Sequence, residues 1–121
     1  MAQFRDRPMY WKLDKQRRPI PGNGIREKIS DPERYRVGGD IVCGLWVSTV
    51  FLCVDYSHDL DGPPVLWETM VFQDDDTYED IDLELCSGSW DQAEEMHRRM
   101  CERVREALRE SVPEEAENGE D

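Results

Sequence analysis

Hydrophobic positions gather in the middle of this chain, and their spacing changes along it. Met9, Tyr10, Trp11 and Leu13 are spaced as a short strand, and residues 17–24, with Pro19, Pro21, Gly22 and Gly24, form a turn-prone stretch. Ser30-Asp31-Pro32-Glu33 has the composition of a helix start, with a capping side chain, proline in the first turn and an acid near the positive end of the dipole. Gly38-Gly39 would stop that helix early. Residues 41–54 are rich in Val, Ile, Trp, Thr and Phe and predict one long central strand, with Gly44 marking a bulge or bend. Asp55 to Pro64 is a loop, and residues 65–73 are the next strand.

After the acidic turn Asp74-Asp75-Asp76, residues 78–85 alternate, with Ile81, Leu83 and Leu85 on one side and Asp80, Asp82 and Glu84 on the other. The alternation predicts a half-buried antiparallel strand with an acidic outer row. Ser89-Trp90-Asp91-Gln92 has capping-box spacing, and the apolar period then lengthens to that of a helix of about five turns. Ala93, Met96, His97, Met100, Cys101, Val104, Ala107 and Leu108 form its stripe. The reading is an α+β fold: a small antiparallel sheet of three or four strands against one long C-terminal amphipathic helix, with a short N-terminal helix. Residues 1–29 are expected as a basic, mobile or draped arm, 30–111 as the domain and 112–121 as a disordered acidic tail.

At 121 residues the chain has room for one core. Its formal net charge of −13 is unevenly spread. Residues 1–36 carry ten Lys or Arg and five acids, so the rest holds five bases against 23 acids. Between Val37 and His97 there are fifteen acids and no Lys or Arg. Such a surface repels phosphate backbones, which excludes direct DNA or RNA binding as an expectation.

Cys43, Cys53, Cys86 and Cys101 lack C-x-x-C spacing, the start of the chain lacks the apolar stretch of a signal peptide, and the run at 41–54 is too short for a membrane span. A cytoplasmic chain with reduced thiols and no membrane contact is expected.

The sequence offers four places for chemistry. Asp74-Asp75-Asp76 lacks the spaced ligands of a calcium loop and reads as a solvated turn. Asp55, His58, Asp59 and Asp61 share one loop without a recognisable metal spacing. His97 and Cys101, four residues apart on one helix face, can hold two metal positions but need further ligands, and their apolar neighbours favour a core histidine and a buried thiol. Arg99 and Arg103 lie one turn apart at one edge of the helix stripe, with Arg105 at the other. An arginine pair can clamp a phosphate or carboxylate, with Trp67, Phe72 and Trp90 as stacking partners. The alternative is that the helix arginines pair with Glu95, Glu102 and Glu106 at helical spacing. No motif for nucleophilic catalysis, phosphate loops or dinucleotides occurs, so a non-enzyme without cofactor or metal is expected.

Residues 47–52 (Val-Ser-Thr-Val-Phe-Leu), 62–72 (from Gly62-Pro63-Pro64 through Trp67-Glu68-Thr69 to Phe72) and 89–97 (Ser89-Trp90-Asp91-Gln92-Ala93-Glu94 with His97) together resemble a family of small uncharacterised proteins of tailed phages and prophages. That family typically has a Tyr and Arg pair ahead of the helix, where this chain has Leu83-Glu84-Leu85-Cys86. The resemblance implies a phage protein of the host cytoplasm acting by non-covalent binding. One expectation is counter-defence, with a small nucleotide immune signal sequestered by Trp67, Phe72, Trp90, Arg99 and Arg103. The other is an acidic interaction protein that blocks a basic surface of a host protein. A homodimer is expected, since the long apolar strand leaves an edge or face needing a partner.

Overall fold

The computed structural model describes residues 8–57, 61–73 and 80–120, with side chains throughout except at 80–81 and 110–120. Its centre is a four-stranded antiparallel meander, β3 (Arg36–Val42), β4 (Leu45–Phe51), β5 (Val65–Gln73) and β6 (Asp80–Ser87), in that spatial order. A small hairpin of β1 (Trp11–Leu13) and β2 (Pro19–Pro21), helix α1 (Ile25–Ser30) and one 3-10 turn (Pro32–Tyr35) precede it, and α2 (Trp90–Glu120) follows. This is the expected α+β architecture, with α2 laid across one face of the sheet.

Residues 41–54 form a hairpin and not the single strand expected. Val42 pairs with Leu45, and the two residues between them, Cys43 (φ 52°) and Gly44 (φ 85°), both take left-handed conformations. Two consecutive positive φ angles make the tight turn whose twist matches that of antiparallel strands. Chemistry on both sides of the turn is equally strand-like, so composition alone did not mark it. Gly38 and Gly39, expected to end a helix, lie inside β3.

The helix start expected at Ser30 to Glu33 is a single 3-10 turn, and Asp31 makes no side-chain cap bond. The helical residues precede it, in α1, where Asn23 Oδ1 accepts from the Ile25 amide and opens the first turn. Gly22-Asn23-Gly24 is thus both turn and helix entry.

Strand β5 lies where expected, and the capping box is formed: the Gln92 amide donates to Ser89 Oγ (3.2 Å) and the Ser89 amide to Gln92 Oε1 (3.0 Å). In β6 the alternation is present but its sense is reversed. Asp82 and Glu84 lie on the side of α2, where Arg103 meets both, whereas Leu83 and Leu85 are 43% and 41% exposed on the opposite face. Period two separates two rows without saying which faces the helix; a basic residue on α2 decided it. Tyr78, Glu79 and the triple-aspartate turn lie outside the described residues.

The core has two apolar clusters under α2. Leu13, Tyr35, Phe51, Cys53, Leu66, Trp67, Ala93 and Met96 form one, and Val42, Val47, Val71, Met100, Cys101 and Val104 the other. Each large side chain buried here contributes about 1.5–3 kcal/mol. Ala107, assigned to the stripe from its spacing, is exposed, and Leu108 only partly buried.

From residue 9 onward the basic arm is part of this body. The Trp11 amide donates to the Cys53 carbonyl, Leu13 is 2% exposed, and the Tyr35 hydroxyl accepts from the Leu13 amide while donating to Glu27. Helix α2 itself runs on to Glu120, through the stretch expected as a tail.

Candidate functional site

Between the two apolar clusters sits a polar chain. Thr49 follows Val47 on the inward row of β4, Thr69 is its direct partner on β5, and His97 lies between Met96 and Met100 on α2. Thr49 and Thr69 are fully buried, with hydroxyl oxygens 2.6 Å apart. His97 Nδ1 is 2.7 Å from Thr49 Oγ1, and its Nε2 is 2.7 Å from Asp40 Oδ2 on the edge strand β3. An ionised carboxylate only accepts, so Nε2–H donates to Asp40; in the neutral ring Nδ1 then accepts from Thr49, which accepts from Thr69. Buried polar groups so satisfied cost little and fix one arrangement of helix on sheet.

Three features shape the outer end of this chain. Gly38, next but one to Asp40 on β3, leaves room for the imidazole. Cys101, one turn beyond His97 and 5% exposed, places its sulfur so that the ligand atoms of Asp40, His97 and Cys101 all lie within 4.8 Å of one another. Asp40 is 58% exposed at its side chain, so the cluster opens to water on one side only. The Cys101 thiol is pushed up chiefly by burial and then by the Asp40 carboxylate, with Arg105 opposing, which keeps it protonated.

Hydroxyl, imidazole and carboxylate are the groups of a nucleophilic triad, but Thr49 is sealed beneath α2 where no acyl group reaches it. The arrangement does not serve nucleophilic attack. The pairing of His97 with Cys101 was legible from helical spacing, whereas Asp40, Thr49 and Thr69 were missed. Their signal was present: two threonines at inward positions of otherwise apolar strands need a polar partner between them.

The aromatic and arginine residues expected to form a ligand pocket are spread over different surfaces. Trp67 is fully buried on the helix side of β5, edge to face with Phe51 and with Trp90, and donates from Nε1 to the Gly88 carbonyl (2.9 Å). Phe72, opposite Trp46, points to the other face of the sheet. Trp90 lies under the Arg17 guanidinium of the arm, 4.5 Å from its ring centroid. Arg103 bridges Asp82 (2.7 Å) and Glu84 (3.3 Å), and Arg99, exposed, acts electrostatically on Cys86 and Glu95. Arg98 pairs with Glu95 and Glu102, and Arg109 with Glu106. A shallow groove of about 490 Å³ between α2 and the β5–β6 edge is lined by Leu45, Val71, Met100, Val104 and Leu108 with Arg103 and Asp82 at its rim.

Of the loop cluster, Asp55 Oδ1 accepts from the amides of Ser57 (2.8 Å) and Val65 (3.0 Å) and so shapes the loop, while His58 and Asp59 lie outside the described residues. Asp61 is exposed.

The sheet face away from α2 carries a group of apolar side chains. Ile41 (55% exposed), Trp46, Met70, Phe72, Leu83 and Leu85 share it by register, and no described helix lies across them.

Comparison with protein-family models, with curated proteins and with solved structures returned no match. Among the described residues no helix is long and apolar enough to cross a membrane.

Proposed function

We propose that this chain is a non-catalytic interaction protein that masks a basic surface of another protein with the open face of its sheet. One observation carries the reading: a sheet face centred on Ile41, Trp46, Met70, Phe72, Leu83 and Leu85, in a stretch from Val37 to His97 that contains no Lys or Arg. Asp82, Glu84 and Asp40 lie on the α2 side, and this face itself carries Glu68 and Arg36 beside its apolar residues; on a chain of net charge −13, such a face suits a partner whose apolar patch lies within a basic surface. Charge also speaks against a second copy as occupant, because two chains of net charge −13 repel each other. For a phage protein, as the resemblance implies, the partner is a host protein whose basic surface serves nucleic acid.

Sequestration of a nucleotide signal has less support from the geometry. Trp67 is fully buried, Phe72 is on the far face, and Arg103 already holds two carboxylates.

The test is affinity capture from bacterial host lysate with the wild-type chain and with an Ile41→Glu/Leu83→Glu variant, at low salt and at about 0.5 M salt, where exposed charges are screened. The reading expects a captured protein of basic pI, lost with the variant and weakened by salt. Capture that survives both changes, or capture of acidic proteins only, contradicts it. A stabilising nucleotide found by thermal screening would restore the sequestration reading.

A further inference from the structure

We infer that Asp40, His97 and Cys101 form a mononuclear zinc site that ties the edge strand β3 to helix α2, with its fourth position open to solvent. This does not depend on the interaction role proposed above. The donor atoms, one carboxylate oxygen, one imidazole nitrogen and one sulfur, lie within 4.8 Å of one another, and they come from two elements that pack together. Oxygen, nitrogen and thiolate sulfur in a set of three is a zinc donor set, since this ion accepts all three types and takes four ligands in a tetrahedron.

The surroundings fit that role. A zinc-bound imidazole needs its other nitrogen held, and Thr49 Oγ1 sits 2.7 Å from His97 Nδ1, backed by Thr69 at 2.6 Å. Both partners are hydroxyls, which donate or accept, so the chain can reverse. On metal binding the single ring proton shifts from Nε2 to Nδ1 by exchange with water, Nδ1–H donates a hydrogen bond to Thr49 Oγ1, Thr49 turns its own hydrogen toward Thr69, whose hydroxyl hydrogen turns away from Thr49, and the freed Nε2 lone pair ligates the ion. A carbonyl or a carboxylate at Nδ1 would have fixed one direction; the two threonines allow either.

The ligand positions need only a small adjustment. Asp40 and His97 are hydrogen-bonded at 2.7 Å, closer than two ligands of one tetrahedral ion, so the carboxylate must swing outward. It is free to do so, being 58% exposed on an edge strand. Gly38 leaves room for the Nε2 side of the imidazole against β3, and Nε2 faces Asp40. Cys101 releases one proton to water as it ligates, and His97 in its neutral form releases none. The acidic surface concentrates cations around the chain.

The experiment uses the full chain, purified without a polyhistidine tag or chelator, in wild-type form and in a Cys43→Ser background that removes the exposed thiol. Metal content is measured first, and cobalt(II) is then added to the chelator-treated protein as a spectroscopic stand-in. The site predicts one ion per chain and a near-ultraviolet thiolate-to-cobalt charge-transfer band with the visible bands of tetrahedral cobalt. Cys101→Ser abolishes the charge-transfer band with the circular dichroism retained. Thr49→Val, which keeps shape and removes the hydroxyl, weakens zinc about 10–100-fold. Zinc raises the melting temperature of the wild type and not of Cys101→Ser or Asp40→Asn, because only the folded chain presents the three ligands together. A folded wild type that binds neither ion, or a charge-transfer band that persists in Cys101→Ser, overturns the proposal.

Discussion

Gly38 on β3 lies so close against His97 of α2 that a β-carbon at position 38 would come within 2.8 Å of the imidazole ring. The ring cannot retreat, because its two nitrogens are held by Thr49 and Asp40. Gly38→Ala should therefore cost about 1–3 kcal/mol through overpacking. The neighbouring Gly39 is the control. Its β-carbon would meet the far end of Trp46 at 2.9 Å, on the open face, where the ring has room to shift. Urea melts of the two variants should separate clearly, with Gly39→Ala the milder.

Tyr35→Phe tests how the arm is held. The hydroxyl accepts from the buried Leu13 amide at 3.3 Å and donates to Glu27, so one phenol joins β1, α1 and the core. Without it the Leu13 N–H is left unsatisfied, a loss of roughly 1–3 kcal/mol. Amide exchange at Leu13 should accelerate more than exchange in β4 or β5, which marks the arm as the part that loosens first.

These two variants also show where sequence reading succeeds and where it stops. Strand β5, the capping box at Ser89 and Gln92, and the buried stripe from Ala93 to Val104 were legible because each rests on local spacing. The hairpin at Cys43-Gly44 was not, because a cysteine at φ 52° carries no turn signature and the residues next to the turn, Ile41-Val42 and Leu45-Trp46-Val47, are apolar on both sides. The sense of the β6 alternation depended on Arg103, nineteen and twenty-one residues away from its partners. The polar chain was half legible: His97 and Cys101 follow from helix periodicity, but Asp40 and Thr49 reach His97 only across 57 and 48 residues of sequence. Tertiary pairing of that kind leaves no periodic trace.

Alkaline pH should destabilise the fold through Cys53. Its thiol, completely buried, is pushed up from 9.0 to about 11, mainly by burial, with Lys28 opposing and Glu27 reinforcing. A folded-state value above the unfolded one means that the contribution is complete below about pH 9 and is lost as pH rises through about 11, amounting to roughly 2–3 kcal/mol at most. Tyr35, also raised by burial, has the same sign, while Lys28, lowered by burial, has the opposite one. The Cys53→Ala variant isolates the thiol. The stability difference between wild type and variant, measured by denaturant melts from pH 7 to pH 10.5, should be flat at first and then shift against the wild type.

Cys43→Asn should stabilise the chain. Cysteine pays for a left-handed conformation at φ 52°, whereas asparagine followed by Gly44 is the preferred pair for a two-residue hairpin of this twist. A gain of about 0.5–1 kcal/mol is expected. Thermal melting checks the gain, and loss of the most rapidly labelled thiol confirms that it is Cys43, the exposed one, since Cys53 and Cys101 are buried and Cys86 is only partly exposed.

Arg103→Ala bears on both the fold and the surface. The guanidinium spans Asp82 and Glu84, but all three side chains are at least one-third exposed, so the pairs are screened by solvent and the loss should stay under about 1 kcal/mol. The electrostatic effect is larger than the stability effect. Removing Arg103 leaves the Asp82 and Glu84 carboxylates side by side without their cation. Melting temperatures of wild type and variant should therefore converge as salt rises, because screening relieves the repulsion that the arginine relieves in the wild type. An Asp82→Asn/Arg103→Ala double-mutant cycle reads the coupling directly: a coupling energy well above 1 kcal/mol would place Arg103 among the determinants of the fold, and a small one would leave it a surface residue whose main effect is on charge.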